Sequence, residues 1–139
     1  MPTGQAFENV AGIEIPFVTR GDKHSYWKYV LNVDANEISG GTDAVGAALK
    51  ERGIFSAPRY IRKPAFLCQI FRDQQTFGSS RWPFSLAAPE AVDYREELFP
   101  GTFQALSKVL VLPWNEAYTE GQVAAIGDAI VGVADQLRG

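Results

Sequence analysis

The sequence is poor in the residues that build metal and redox sites: its 139 residues include one cysteine, Cys68, one histidine, His24, and one methionine. A single thiol forms no internal disulfide, and one Cys with one His falls short of a tetrahedral zinc ligand set, so no metal site is expected. Cys68, within AFLCQIF, reads as a small buried hydrophobe. No stretch approaches the roughly 18 consecutive apolar residues of a membrane helix. The opening MPTGQAFENVAGIEIPF has no basic region ahead of an apolar run, so no membrane span or secretory leader is expected and the chain reads as cytoplasmic. An excess of positive charge is also missing. Thirteen Lys and Arg against 16 Asp and Glu give a net charge of −3, which argues against a nucleic-acid partner. There is no internal repeat or low-complexity tract. Gly40-Gly41-Thr42 lacks the frame of a P-loop or dinucleotide fingerprint, and reads as a loop and helix cap.

What is present is an ordinary globular composition, 46% hydrophobic and 21% charged. A single domain of this length buries roughly two-thirds of its unfolded surface. Charge is divided unevenly: residues up to Pro89 hold ten basic and eight acidic side chains, and those from Glu90 onward three and eight. Any anion-binding surface is therefore expected between Arg59 and Arg81.

In Tyr26–Val33, Trp27, Tyr29, Leu31 and Val33 alternate with Lys28, Val30 and Asn32, the period of a half-buried strand with the first set inward. Thr42 is placed to cap a helix ending near Arg52, with Val45, Ala48 and Leu49 as its inner stripe and Gly53 as its stop. From Ile54 to Phe84, Pro58, Pro64 and Pro83 break any long element, and seven aromatics lie among basic residues. A long ordered loop around a short helix or strand is expected there, of the kind used for function or an interface. Glu90–Leu98 reads as a helical turn or two, and Pro100 opens a short helix to about Ser107. Val109–Leu112 is a buried strand stopped by Pro113. Finally, Thr119 and Gln122 form a capping box ahead of a helix whose apolar stripe is Val123, Ile126, Ile130, Val133 and Leu137. The sum is an α+β fold with a small antiparallel sheet and helices packed on one side.

Taken in order, several motifs resemble those of a known family: His24-Ser25-Tyr26-Trp27-Lys28-Tyr29-Val30-Leu31, Leu49-Lys50-Glu51-Arg52-Gly53-Ile54, Lys63-Pro64-Ala65-Phe66, Val109-Leu110-Val111-Leu112-Pro113 and the Thr119-capped helix. Their order resembles the C-terminal domain of the DegT/DnrJ/EryC1/StrS family, pyridoxal-phosphate (PLP)-dependent sugar aminotransferases, from about Phe17 to Gln136. The resemblance implies the small domain of a fold-type I transferase, a homodimer that moves an amino group from glutamate or glutamine to a keto sugar, often nucleotide-linked. It implies a domain that shapes the sugar pocket and dimer interface, while PLP is anchored elsewhere. At one loop this chain departs from the family, having Arg59-Tyr60 where many members have His beside Tyr and a second His before the Pro.

PLP catalysis needs a lysine for the imine, a carboxylate at the pyridine nitrogen, a ring cover and a phosphate cup. Lys23, Lys28, Lys50, Lys63 and Lys108 lie in strand, helix-end or loop contexts, and none falls in the family's lysine motif. The chain alone is therefore expected to bind no cofactor and to be inactive, with the lysine motif upstream of Met1. No catalytic residue is assigned. Four residues are assigned to substrate binding. His24 titrates near neutrality and suits a base or hydrogen-bond donor, or a histidine that orders a loop. Arg59 and Arg62 offer planar forks to a carboxylate or phosphate, or form ion pairs. Tyr60 keeps the family's aromatic position. The expected partners are a second copy or a PLP-binding large domain, whose absence should leave an apolar face open near Phe66–Phe84. The rival expectation is a stand-alone sugar- or protein-binding regulatory module reusing the fold.

Overall fold

The computed structural model describes residues 9–139. In chain order its helices and strands are β1 (Ile13–Glu14), β2 (Lys28–Val33), α1 (Gly41–Glu51), β3 (Ala57–Pro58), α2 (Gln69–Arg72), α3 (Pro100–Lys108), β4 (Val109–Pro113) and α4 (Glu120–Arg138). They fall into two compact units, one holding the described residues up to Tyr60 with Ser107–Gly139, the other Ile61–Leu106.

The first unit is built on an antiparallel sheet of order β1-β2-β4-β3. Its centre is the β2–β4 ladder, which sets Tyr29 opposite Leu112 and Leu31 opposite Leu110. These four and Val33 are buried on one sheet face, against Val45, Ala48 and Leu49 of α1 and Ile130, Val133 and Ala134 of α4. Each large apolar side chain buried there contributes about 1.5–3 kcal/mol. The α+β architecture, with its small antiparallel sheet and helices on one side, is the one the sequence pattern predicts.

Two local details correct that pattern. The strand begins at Lys28, because Tyr26 has a φ of 49° and leaves the extended region. Trp27, which lies outside the strand, is 81% exposed instead of joining the inward set. Thr42 does not cap α1: the N-cap is Gly40, at φ 76°, with no side-chain bond. The Thr42 side chain is buried and its hydroxyl donates to the Ser107 carbonyl at 2.7 Å, a tertiary partner that wins over the helix's own amides. At the other end the expected stop holds, with Gly53 at φ 77° and its N–H on the Lys50 carbonyl.

Close approaches lock the layers. A Cβ on Gly46 would lie 2.3 Å from Pro58 Cγ, so α1 meets β3 at a distance only glycine allows. Arg52, at the end of α1, donates to the Ala129 carbonyl and to Gln136 Oε1 of α4, each at 3.1 Å, and lies over Gly132. The reciprocal capping box of α4 is formed: Gln122 N–H donates to Thr119 Oγ1, and Thr119 N–H to Gln122 Oε1.

The second unit is short helical pieces, as its prolines dictate: 3-10 turns at Ala65–Leu67, Phe84–Leu86, Pro89–Val92 and Glu96–Leu98, with α2 and most of α3. Two ring clusters hold it together. Phe66 stacks on Phe99 and meets Phe103 edge-on, while Phe71, Phe84 and Tyr94 contact one another edge-to-face. Other apolar side chains of this unit stay at the surface, among them Ile70, Phe77, Trp82 and Leu86. Among the described residues, no helix is long and apolar enough to cross a membrane.

Candidate functional site

Trp27, between the left-handed Tyr26 and the start of β2, is not part of the extended strand. Consecutive residues of an extended strand point to opposite faces, yet Lys28 Nζ lies 3.3 Å from the centroid of the Trp27 ring. The same ammonium lies 4.6 Å from the ring of Tyr60. It is thus held by two aromatic faces, each presenting the negative side of its quadrupole. Tyr60 arrives there from a second non-glycine residue in the left-handed region, Arg59 at φ 48°. The Arg59 N–H continues the β3–β4 pairing by donating to the Val109 carbonyl at 2.7 Å. Its guanidinium donates to Asp43 Oδ2 at 2.5 Å, both side chains about half exposed.

The structure therefore brings two of the four sequence-predicted residues, Arg59 and Tyr60, to one surface cluster with Trp27, Lys28 and Asp43. Sequence reasoning left Trp27 and Lys28 out of the site. Alternation alone assigned Trp27 to the core, and the signal that was missed is the Tyr-Trp-Lys run at the end of a loop. His24 sits apart: its Nδ1 accepts from the Tyr26 N–H at 2.9 Å and its ring stacks on Tyr26 at 4.2 Å. Tyr26 continues through ring contacts to Tyr29 and Trp114, so His24 orders the turn that precedes β2. Arg62 is exposed in the other unit, without a hydrogen bond or ion pair among the described residues.

Two hollows are also lined by described residues. The larger, of about 870 Å³, lies within the second unit and is lined by Arg72, Gln74, Glu90, Tyr94, Arg95 and Glu97 among others. Its arginines are engaged by neighbours, Arg72 with Asp73 and Arg95 with Asp93, both at 2.7 Å. Hydrogen bonds from those guanidinium groups hold the Asp73 and Asp93 carboxyls below the usual aspartate range. The smaller, of about 220 Å³, lies at the start of α1 beside Asp34, Asp43, Arg59 and Lys108. There the Asn36 backbone N–H, with help from the Lys108 charge, lowers the pKa of Asp34.

These residues do not fit a PLP site. The larger hollow has no lysine in its lining, and the smaller has Lys108 but no aromatic ring to cover a pyridine. Lys28 is committed to Trp27 and Tyr60, while Lys23, Lys50 and Lys63 are exposed. No group of three or more His, Cys, Asp or Glu side chains able to hold a metal ion occurs among the described residues.

The sequence matches no protein-family model and no curated protein. Among solved structures, the fold is similar to the aminotransferase TlmJ from Streptoalloteichus hindustanus, with a TM-score of 0.61 and 19% sequence identity. That likeness covers 99% of this chain and 30% of TlmJ. The α+β fold described above is thus found as part of an aminotransferase chain.

Proposed function

We propose that this chain is the small-domain portion of a PLP-dependent aminotransferase acting on a keto sugar, free or nucleotide-linked, and works with a PLP-binding large domain. The observation that carries the reading is the fold likeness, which takes in nearly all of this chain and under a third of an aminotransferase. The motif order, from His24-Ser25-Tyr26-Trp27 to the Thr119-capped helix, supports the DegT/DnrJ/EryC1/StrS assignment and with it the sugar substrate.

When bound by the large domain, PLP supplies the electron sink for moving the amino group. This chain's residues have a different part. The strained turns at Tyr26 and Arg59 hold Trp27, Lys28 and Tyr60 at the surface, where they form one wall of the substrate pocket. Arg59, already paired with Asp43, fixes the Tyr60 end of that wall. The exposed Ile70, Phe77, Trp82 and Leu86 lie on the surface that meets the large domain or a second copy.

The test is a PLP titration followed by imine absorbance and borohydride trapping, run on the chain alone and after mixing with a PLP-binding large domain. The expected outcome is no trapped imine on this chain, and a stable complex in which the trapped imine maps to the other component. A stoichiometric imine on any lysine of this chain would overturn the reading, as would failure of the two components to associate.

A further inference from the structure

The turn that leads into β2 is closed by a titratable acceptor. His24 is the one histidine of the chain, and its Nδ1 accepts the Tyr26 N–H at 2.9 Å. A ring nitrogen that accepts carries no proton, so the neutral imidazole holds its proton on Nε2. Three other turns have the same form, a side chain accepting the N–H two residues on: Asp34 at 3.0 Å, Asp93 at 3.2 Å and Asn115 at 2.7 Å. Those acceptors persist through neutrality. Asn115 does not titrate, and hydrogen bonds from Asn36 and Arg95 hold the Asp34 and Asp93 carboxyls below the usual aspartate range. An imidazole takes up its second proton between about pH 5 and 8, and the imidazolium has two donors and no acceptor. Of these four turns, only that of His24 loses its closing bond in that window.

The residue it holds needs support, because Tyr26 at φ 49° is in the left-handed region that side-chain-bearing residues avoid. The other contacts of Tyr26 are between rings: His24 stacked at 4.2 Å, Tyr29 of β2, and Trp114 after β4. His24 itself is exposed, with Asp22 and Lys23 as its charged neighbours in the chain. No ion pair among the described residues involves any of these three. The titratable groups on the packed side are Tyr26 and, behind it, Tyr29, and tyrosines ionise far above neutrality.

We propose that His24 makes this turn a pH-sensitive switch, closed while the imidazole is neutral and released when a proton on Nδ1 displaces the Tyr26 N–H. The stabilisation from the bond is present above the histidine range and is lost as pH falls through it. The imidazolium stays on the Tyr26 ring as a cation over an aromatic face, so what opens is the backbone turn and not the ring stack. Trp27 and Lys28 follow directly in the chain, and release of the turn loosens the cluster they form with Tyr60. The switch stands on the His24–Tyr26 geometry; its effect on a substrate pocket rests on the proposed function.

The experiment is NMR on the full chain at about pH 8 and about pH 5, the two ends of the histidine range, for the native sequence, His24→Asn and His24→Ala. It reads the protonation of the two ring nitrogens and the solvent exchange of the Tyr26 amide, divided by its intrinsic rate at each pH. Asparagine offers a non-titrating acceptor to the same N–H, as Asn115 does for Ala117, and alanine offers none. In the native chain Nδ1 should carry no proton at the higher pH, and Tyr26 protection should fall about fivefold at the lower, the factor that one ordinary hydrogen bond is worth. His24→Asn should keep the protection at both pH values, and His24→Ala should lack it at both. The Trp27 indole resonance should move with pH in the native chain and stay in place in His24→Asn. The proposal is overturned if Nδ1 is protonated at the higher pH, if Tyr26 protection or the Trp27 resonance ignores pH, if His24→Asn keeps the native pH dependence, or if His24→Ala protects Tyr26 as the native chain does. No PLP, substrate or partner is present, so such a failure is distinct from failure of the aminotransferase reading.

Discussion

Trp27 and Tyr29 are two residues apart and carry side chains of similar kind, yet one is open to solvent and the other fully buried. Truncating them should therefore have unequal effects. Trp27→Leu should change stability by no more than about 0.5 kcal/mol, while Tyr29→Ala should cost about 3–5 kcal/mol as a large ring leaves the core. Chemical denaturation of both variants checks this. Alternation alone does not separate the two positions, because the strand starts only at Lys28, after the left-handed turn at Tyr26, and φ at a tyrosine is not written in the period of the apolar residues. A second prediction concerns Asp73 and Asp93, whose carboxyls are held below the ordinary aspartate value chiefly by hydrogen bonds from Arg72 and Arg95. A folded-state value below the unfolded one means that the stabilisation is present above the unfolded pKa and is lost as pH falls through the folded one. Carboxyl NMR titration should find both midpoints below the ordinary value, and Arg95→Gln should raise that of Asp93 while leaving Asp73 in place.

At the scale of elements, the sequence was most legible where local signals and tertiary packing agree. In α4 the Thr119–Gln122 box and the apolar stripe lead to the same helix, and the structure forms both. Thr119→Ala should cost about 1 kcal/mol, as removal of an N-cap acceptor does. In α1 the two levels part: Thr42 looks like a cap and serves instead as a tertiary donor to Ser107. The short strands β1 and β3, of two residues each, have no period to be read. They exist because neighbouring strands present unpaired backbone groups. The contact of α1 with β3 gives a sharper test. Gly46→Ala would drive a methyl against Pro58, and overpacking of this kind should cost about 1–3 kcal/mol. Pro58→Ala in the same background should recover part of that loss, measured as a rise in melting temperature over the single variant.

For the molecule as a whole, the fold class was accessible from the order of strand, helix, irregular segment, strand and helix, and the structure agrees with it. The division into two compact units was less accessible, because the second is held by ring clusters whose members are scattered between Phe66 and Phe103 and follow no helical or strand spacing. Of the surface cluster, Arg59 is legible from its planar fork and Tyr60 from the family's aromatic position, whereas Trp27 and Lys28 become visible only in the structure, where the rings of Trp27 and Tyr60 lie against the Lys28 ammonium. We propose, as above, that this chain supplies the substrate-facing part of an aminotransferase whose cofactor is anchored elsewhere. The most direct measurement is amino transfer from glutamate to a keto sugar, with the PLP-loaded large domain assayed alone and with increasing amounts of this chain. The account predicts a rate that rises and saturates at stoichiometric chain, and that falls when Lys28→Gln replaces the native sequence. A rate independent of this chain would contradict it.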